Sequence, residues 1–167
     1  MHDQFRTFGR YNRWANARLA ETLADLDEAT YRQDAGAFFG SIHLTWNHLL
    51  LVDLLWLQRM GVEVGVAVTT LDQVLYEDRG ELLAARAAWD DRIVDFVDQL
   101  DPGSLDEPLA YASMDGKRHA YPRRLVLAHL FNHQTHHRGQ VHTLLTSLGR
   151  NAPALDLIYY LRALPET

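Results

Sequence analysis

The chain contains no cysteine. That excludes disulfides and every metal site built on thiolates, and it fits a reducing compartment. Positive charge is also scarce: 16 Lys and Arg against 22 Asp and Glu leave a net charge of -6. Phosphate backbones call for a basic face, so nucleic acid is not expected as a partner. The densest basic stretch, KRHAYPRR, is short and split by a turn. Long apolar runs are missing too. The longest, NHLLLVDLLWLQRM, is interrupted by Asp53 and is too short to span a bilayer, so it reads as a buried helix. The opening MHDQFRTFGR is polar and carries no apolar signal segment. The expected location is the cytoplasm, with no membrane contact.

What is present is globular. With 47% hydrophobic and 23% charged residues, the chain can close a core. Its length suits a single domain spanning residues 1–167. Phe5, Phe8, Tyr11, Ala15, Leu19, Leu23 and Leu26 recur at steps of three and four, the signature of a first amphipathic helix. The stretch DEATYRQDAGAFFG breaks that pattern. Ser41 is placed to cap a second helix, SIHLTWNHLLLVDLLWLQRM, whose apolar circumference makes it central. GVEVGVAVTTLD, with two glycines and no obvious partner, is expected to be a loop.

A third helix should run from about Arg79 to Leu100, burying Leu82, Ala85, Trp89, Ile93, Phe96 and Leu100. Asp115-Gly116 between alternating segments predicts a two-residue hairpin. Pro122 suits the first turn of a fourth helix and Gly149 its C-terminal cap. The closing segment APALDLIYYLRALPET should dock through its apolar residues. The fold class implied is all-α: a four-helix bundle with a small β-hairpin before the last long helix, the helix order left open.

A third of the chain's 9 histidines fall within NHQTHHRG: His133, His136 and His137. With His129, the spacing i, i+4, i+8 puts His129, His133 and His137 on one stripe of the fourth helix, facing the same way as Val126 and Leu144. His136 lies at the edge of that stripe and His142 points largely away. Two histidines at i and i+4 can grip one cation, and His48, in the apolar middle of the second helix, is the candidate third ligand. By spacing alone His129 with His133 is as good a pair as His133 with His137. His2, His43 and His119 stand alone and read as ordinary surface or core residues.

Three imidazoles and one open position would make a catalytic type of site for a divalent ion, with zinc, nickel, iron and manganese all compatible. Rival chemistries lack their residues. No glutamate is followed three positions on by histidine, as di-iron bundles require. Gln134 stands where a zincin has Glu, and Ser41 and Ser147 read as helix-end residues rather than nucleophiles. Coordination needs neutral imidazole, so an ordinary pKa near 6.5 predicts metal release below about pH 6.

HLFNHQTHHRGQVHTLL, SIHLTWNHLLLVDLLWLQR and YNRWAN together resemble the DinB family of damage-inducible proteins, and the resemblance extends to the closing DLIYYLR. It implies a four-helix bundle with a three-histidine site for one divalent metal ion, its ligands being His48, His133 and His137. His129 then becomes a supporting or core residue and His136 a rim residue. It also implies a homodimer. For the members with assigned activities, it implies thiol-dependent transfer or isomerisation using a low-molecular-weight thiol such as bacillithiol, mycothiol or glutathione, acting on a small electrophile. A metal-dependent hydrolase and a non-catalytic metal-binding stress-response protein are the alternatives.

Overall fold

Four long helices, α1 (His2–Ala24), α3 (Ile42–Arg59), α4 (Arg79–Gln99) and α5 (Arg123–Ser147), make up the bundle in the computed structural model, which describes residues 1–165. Short helices α2 (Glu28–Arg32) and α6 (Leu157–Arg162), a 3-10 turn at Pro102–Asp106 and strands β1 (Pro108–Ala112) and β2 (Arg118–Pro122) complete it. The all-α bundle with a hairpin before its last long helix is therefore observed.

The helix order follows from the pairings. Arg10 meets Asp98 at 2.8 Å and Arg13 meets Asp91 at 2.9 Å, so α1 and α4 are antiparallel neighbours. His48 faces His133, while Trp56, further along α3, faces the earlier His129, so α3 and α5 are also antiparallel. Phe5 lies against Phe131 and Asn16 reaches Arg138, so α1 and α5 run together. It follows that α3 and α4, which also pack together, are parallel. A parallel neighbour can be reached only by a connection that returns along the bundle. Residues 60–78 make that return, without strand structure, as expected.

Local chemistry sets the helix ends. The Ser41 hydroxyl accepts from Leu44 N at 3.2 Å, and the Asp78 carboxylate accepts from Glu81 N at 2.8 Å. Gly149 ends α5 at φ 69°, with Arg150 N donating back to Leu145 O. Pro122 differs slightly from expectation: it closes β2, and α5 starts one residue later. The hairpin turn is also longer than Asp115-Gly116 suggested. Ser113 N donates to Lys117 O and Gly116 N to Ser113 O, so Met114, Asp115 and Gly116 form a three-residue loop with Gly116 at φ 82°. Tyr160 of α6 packs between Tyr11 and Trp14, and the Tyr11 hydroxyl donates to Leu155 O at 2.7 Å, so the terminal segment docks. The last two residues of that segment lie outside the described ones.

The expected stripe on α4 is corrected. Leu82, Trp89 and Ile93 are buried, but so are Arg86, Asp90, Val94 and Val97, while Ala85, Phe96 and Leu100 are only half-buried. The inward face is rotated because it carries charge. Arg86 donates to Asp53 at 2.6 Å and to Asp90 at 2.9 Å, with all three side chains at most 2% exposed. Asn12 and Asn16 donate to Asp90 Oδ1 at 3.1 and 2.9 Å. Gln134 donates to Asp53 at 2.6 Å. Arg138, also buried, donates to Asn12, Asn16 and Gln134 side-chain oxygens. All four long helices contribute. YNRWAN thus supplies the α1 side of this network through Asn12 and Asn16, and Tyr11 lies over the Arg138 guanidinium at 5.2 Å.

Removing one partner of a buried ion pair leaves an uncompensated charge in a dry interior. Arg86→Met is expected to cost about 3–5 kcal/mol in urea unfolding, as for other severed buried pairs. An exposed-pair control, Arg13→Met, should cost under about 1 kcal/mol. Equal effects would contradict the assignment of the network as the structural centre.

Candidate metal centre

Helices α3 and α5 bring His48, His133 and His137 together: one nitrogen from each ring lies within 4.8 Å of the others. Their ring centroids are 5.1 Å (His48–His133), 4.6 Å (His48–His137) and 4.3 Å (His133–His137) apart. The choice that spacing left open is thereby made: it is the His133–His137 pair that faces His48. His129 is not a core residue. It is exposed, its ring edge against Trp56 at 5.1 Å and 5.8 Å from His133. His136 is exposed at the rim, as expected, and His142 is turned away beside Tyr11 and Arg138.

Two of the three rings have their tautomer set by a hydrogen bond. His48 Nδ1 lies 2.8 Å from the Leu71 carbonyl oxygen, which can only accept, so the proton sits on Nδ1 and Nε2 keeps its lone pair. His137 Nδ1 lies 2.7 Å from Gln140 Oε1, with the same consequence. The other end of Gln140, Nε2, is 3.3 Å from His136 Nε2. His136 therefore helps orient the Gln140 amide. His133 Nε2 is 3.2 Å from His48 Nε2, and its buried Nδ1 has no partner among the described residues.

Burial dominates the electrostatics. It lowers the His48 pKa, takes His137 down to about 4, and takes His133 down to about 3 with help from the neighbouring imidazoles. All three rings are then neutral at neutral pH, with the Nε2 lone pairs of His48 and His137 turned to where the three rings converge. That donor set suits a divalent cation that accepts imidazole, and the outward N–H bonds to a carbonyl and an amide are the usual support for such ligands. The three rings could hold a metal ion. Burial thus holds the metal-free rings of His133 and His137 neutral below the ordinary imidazole range, which moves the expected loss of metal affinity to lower pH.

Several residues invisible to the sequence pattern shape the site. Asn47 Oδ1 accepts from Leu75 N at 2.9 Å and Tyr76 N at 3.1 Å, while its Nδ2 donates to Tyr76 O at 3.1 Å. It anchors the returning connection that offers the Leu71 carbonyl to His48. Phe39 stacks on His48, 4.0 Å between centroids and 27° between planes. Above the rings lies a cavity of about 750 Å³, lined by Phe38, Phe39, Leu44, Leu71, Asp72 and Gln73. The sequence does signal Gln140, which sits one helical step from His137; a backbone carbonyl such as that of Leu71 leaves no such trace.

The model of the DinB family matches residues 1–166. The chain belongs to the DinB family. It is 25% identical over 156 residues to Protein DinB of Bacillus subtilis, covering 90% of each chain. A DinB-like protein from Bacillus cereus, known from its crystal structure, superimposes with a TM-score of 0.65 over 84% of this chain and 89% of its own at 17% identity, which shows the shared fold. No helix among the described residues is long and apolar enough to cross a membrane.

The depressed imidazole pKa values carry a stability consequence. In the unfolded chain these rings protonate near 6.5; in the fold His137 and His133 resist until about 4 and 3. Their contribution is complete above about pH 6.5 and is lost as pH falls toward the folded values. Metal-free protein should therefore lose up to about 1.4 kcal/mol per pH unit for each ring below pH 6. His133→Ala should flatten that slope in chemical unfolding at stepped pH, and an unchanged slope would refute the assignment.

Proposed function

We propose that this DinB-family chain binds one divalent metal ion through His48, His133 and His137 and works as a metal-dependent transferase using a small thiol. The observation that carries this reading is the cavity of about 750 Å³ that opens directly above three convergent, neutral imidazoles. A purely structural metal site would be closed by a fourth protein ligand. Here the fourth side faces a space large enough for a small molecule.

A divalent ion held by neutral ligands keeps its full charge and lowers the pKa of a thiol brought to it, supplying a thiolate at neutral pH. The residues do the remaining work. Leu71 O and Gln140 hold the rings of His48 and His137 with their lone pairs inward. Phe39 covers one face of His48. Apolar walls thin the water around the reacting atoms. In the transfer, sulfur forms the new bond to the electrophilic carbon, the leaving group departs with its bonding pair, and the thiol proton passes to water. The thiol must come from solution, because the chain has no cysteine.

The homodimer and cytoplasmic location that the resemblance and composition imply complete the proposal; light scattering at tens of micromolar tests the former. Single His48→Ala, His133→Ala and His137→Ala variants should lose most of the metal, measured by elemental analysis, while circular dichroism stays helical. A triple variant that keeps stoichiometric metal would refute the ligand set. With metal bound, transfer to an electrophile panel should saturate with thiol and collapse in His133→Ala. Activity without any added thiol would favour hydrolysis, and none with any physiological thiol would favour a non-catalytic metal-binding role.

A further inference from the structure

Arg138 is 2% exposed, and no carboxylate among the described residues forms an ion pair with it. Arg86, its counterpart in the network, holds two, at 2.6 and 2.9 Å. Arg138 meets only neutral acceptors. Its Nη1 donates to side-chain oxygens of Asn12, Asn16 and Gln134, and its Nη2 to Thr135 Oγ1 at 3.3 Å. Its Nε donates to no acceptor among the described residues. The same nitrogen of Arg86 is sealed in the interior; that of Arg138 is not. The Tyr11 ring lies over the guanidinium at 5.2 Å. Burial lowers the Arg138 pKa, and Tyr11 opposes this ahead of Asp90 and Asp53. The Nε–Nη2 edge therefore carries only the long bond to Thr135 and is the least answered side of a buried cation.

Two cavities of about 450 and 380 Å³ share Tyr11, Thr135, Arg138 and Asp156 as walls. The docked closing segment roofs them. Leu155 O receives the Tyr11 hydroxyl at 2.7 Å, and Ala152, Ala154 and Tyr159 line the larger space. His142 lines it too, about one helical turn beyond Arg138, and its ring makes no hydrogen bond among the described residues. Two side chains four positions apart thus offer N–H groups to one space. Thr135 and Gly139 follow His133 and His137 by two positions, about 200° around α5. The space is therefore on the far side of that helix from the convergent imidazoles.

We propose that this space is a second binding site, for a small monocarboxylate whose charged end docks on Arg138 and His142 and whose apolar body lies against Tyr11, Leu155 and Tyr159. A carboxylate matches the parallel N–H groups of a guanidinium edge. It also brings Arg138 the opposite charge that no residue places in contact with it. Asp156 lines both cavities and repels a second negative charge, which favours a monocarboxylate over phosphate. Ala152, Ala154 and Leu155 leave walls suited to a short apolar body. The site is independent of the transferase reading, since neither metal nor thiol enters it.

The test titrates benzoate and its uncharged analogue benzamide into the protein as purified, by isothermal titration calorimetry at matched ionic strength in a carboxylate-free buffer. Benzoate should bind at least about tenfold tighter than benzamide, and tighter than inorganic phosphate. His133→Ala should bind benzoate as the parent protein does, because the metal centre is not involved. Arg138→Gln should weaken binding at least about tenfold. Arg138 also belongs to the buried network, so two variants of the cavity wall carry the test if that one does not fold. Ala154→Trp fills the space and should abolish binding. His142→Phe removes a donor and should weaken binding about fivefold. Both should leave the melting temperature of the ligand-free protein unchanged. Equal affinities for benzoate and benzamide, tighter binding of phosphate, loss of binding in His133→Ala, or binding that survives both Ala154→Trp and His142→Phe would each overturn the proposal.

Discussion

Arg86 carries a charge into the middle of the bundle, and much of the surrounding structure is arranged to answer it. Asp53 from α3 and Asp90 on the next turn of α4 take its two terminal nitrogens. Asn12 and Asn16 from α1 and Gln134 from α5 then satisfy those carboxylates. A network of this kind adds little net stability over an apolar core, since desolvation offsets the attraction. Asp53 Oδ1 and Arg86 Nε even lack partners among the described residues. What it does impose is geometry: a helix rotated or slid by one residue would strand a buried charge.

The metal candidates inherit that geometry. Gln134 and Arg138 each follow a histidine of the site by one position, about 100° around α5. One edge of the helix is clamped to the network while the adjacent edge presents His133 and His137. On α3, Asp53, about 140° around the helix from His48, ties that helix to the same network. The parallel pairing of α3 and α4 adds the second constraint. It forces residues 60–78 to run back past the site, and Asn47, the neighbour of His48, holds that segment where Leu71 O can receive the His48 proton. One consequence of topology, a long returning connection, thus becomes the orienting group of a ring.

This division explains what the sequence discloses. Helix positions were legible because apolar residues repeat with the helical period and Ser41 and Gly149 mark ends. The three histidines were legible because imidazoles clustered on an apolar face are costly without a use. Spacing alone did not choose the pair, since His129 and His137 are equivalent by it; the family resemblance named His133 and His137, and in three dimensions these two face His48 while His129 lies against Trp56. The α4 stripe was misplaced because periodicity counts apolar residues, and its buried face includes Arg86 and Asp90. The Leu71 carbonyl was hidden for a different reason: a backbone group carries no residue signature.

The two polar clusters on α5 are opposites, one charged and one neutral. The network sets Asp53 and Asp90 against Arg86 and Arg138, and burial pushes both carboxyls up, that of Asp90 to about 6. Burial is the first cause of the low pKa of His48, His133 and His137, and of the network only Asp53 pulls the other way, at His48. The neutral histidines are thus available because burial keeps them so.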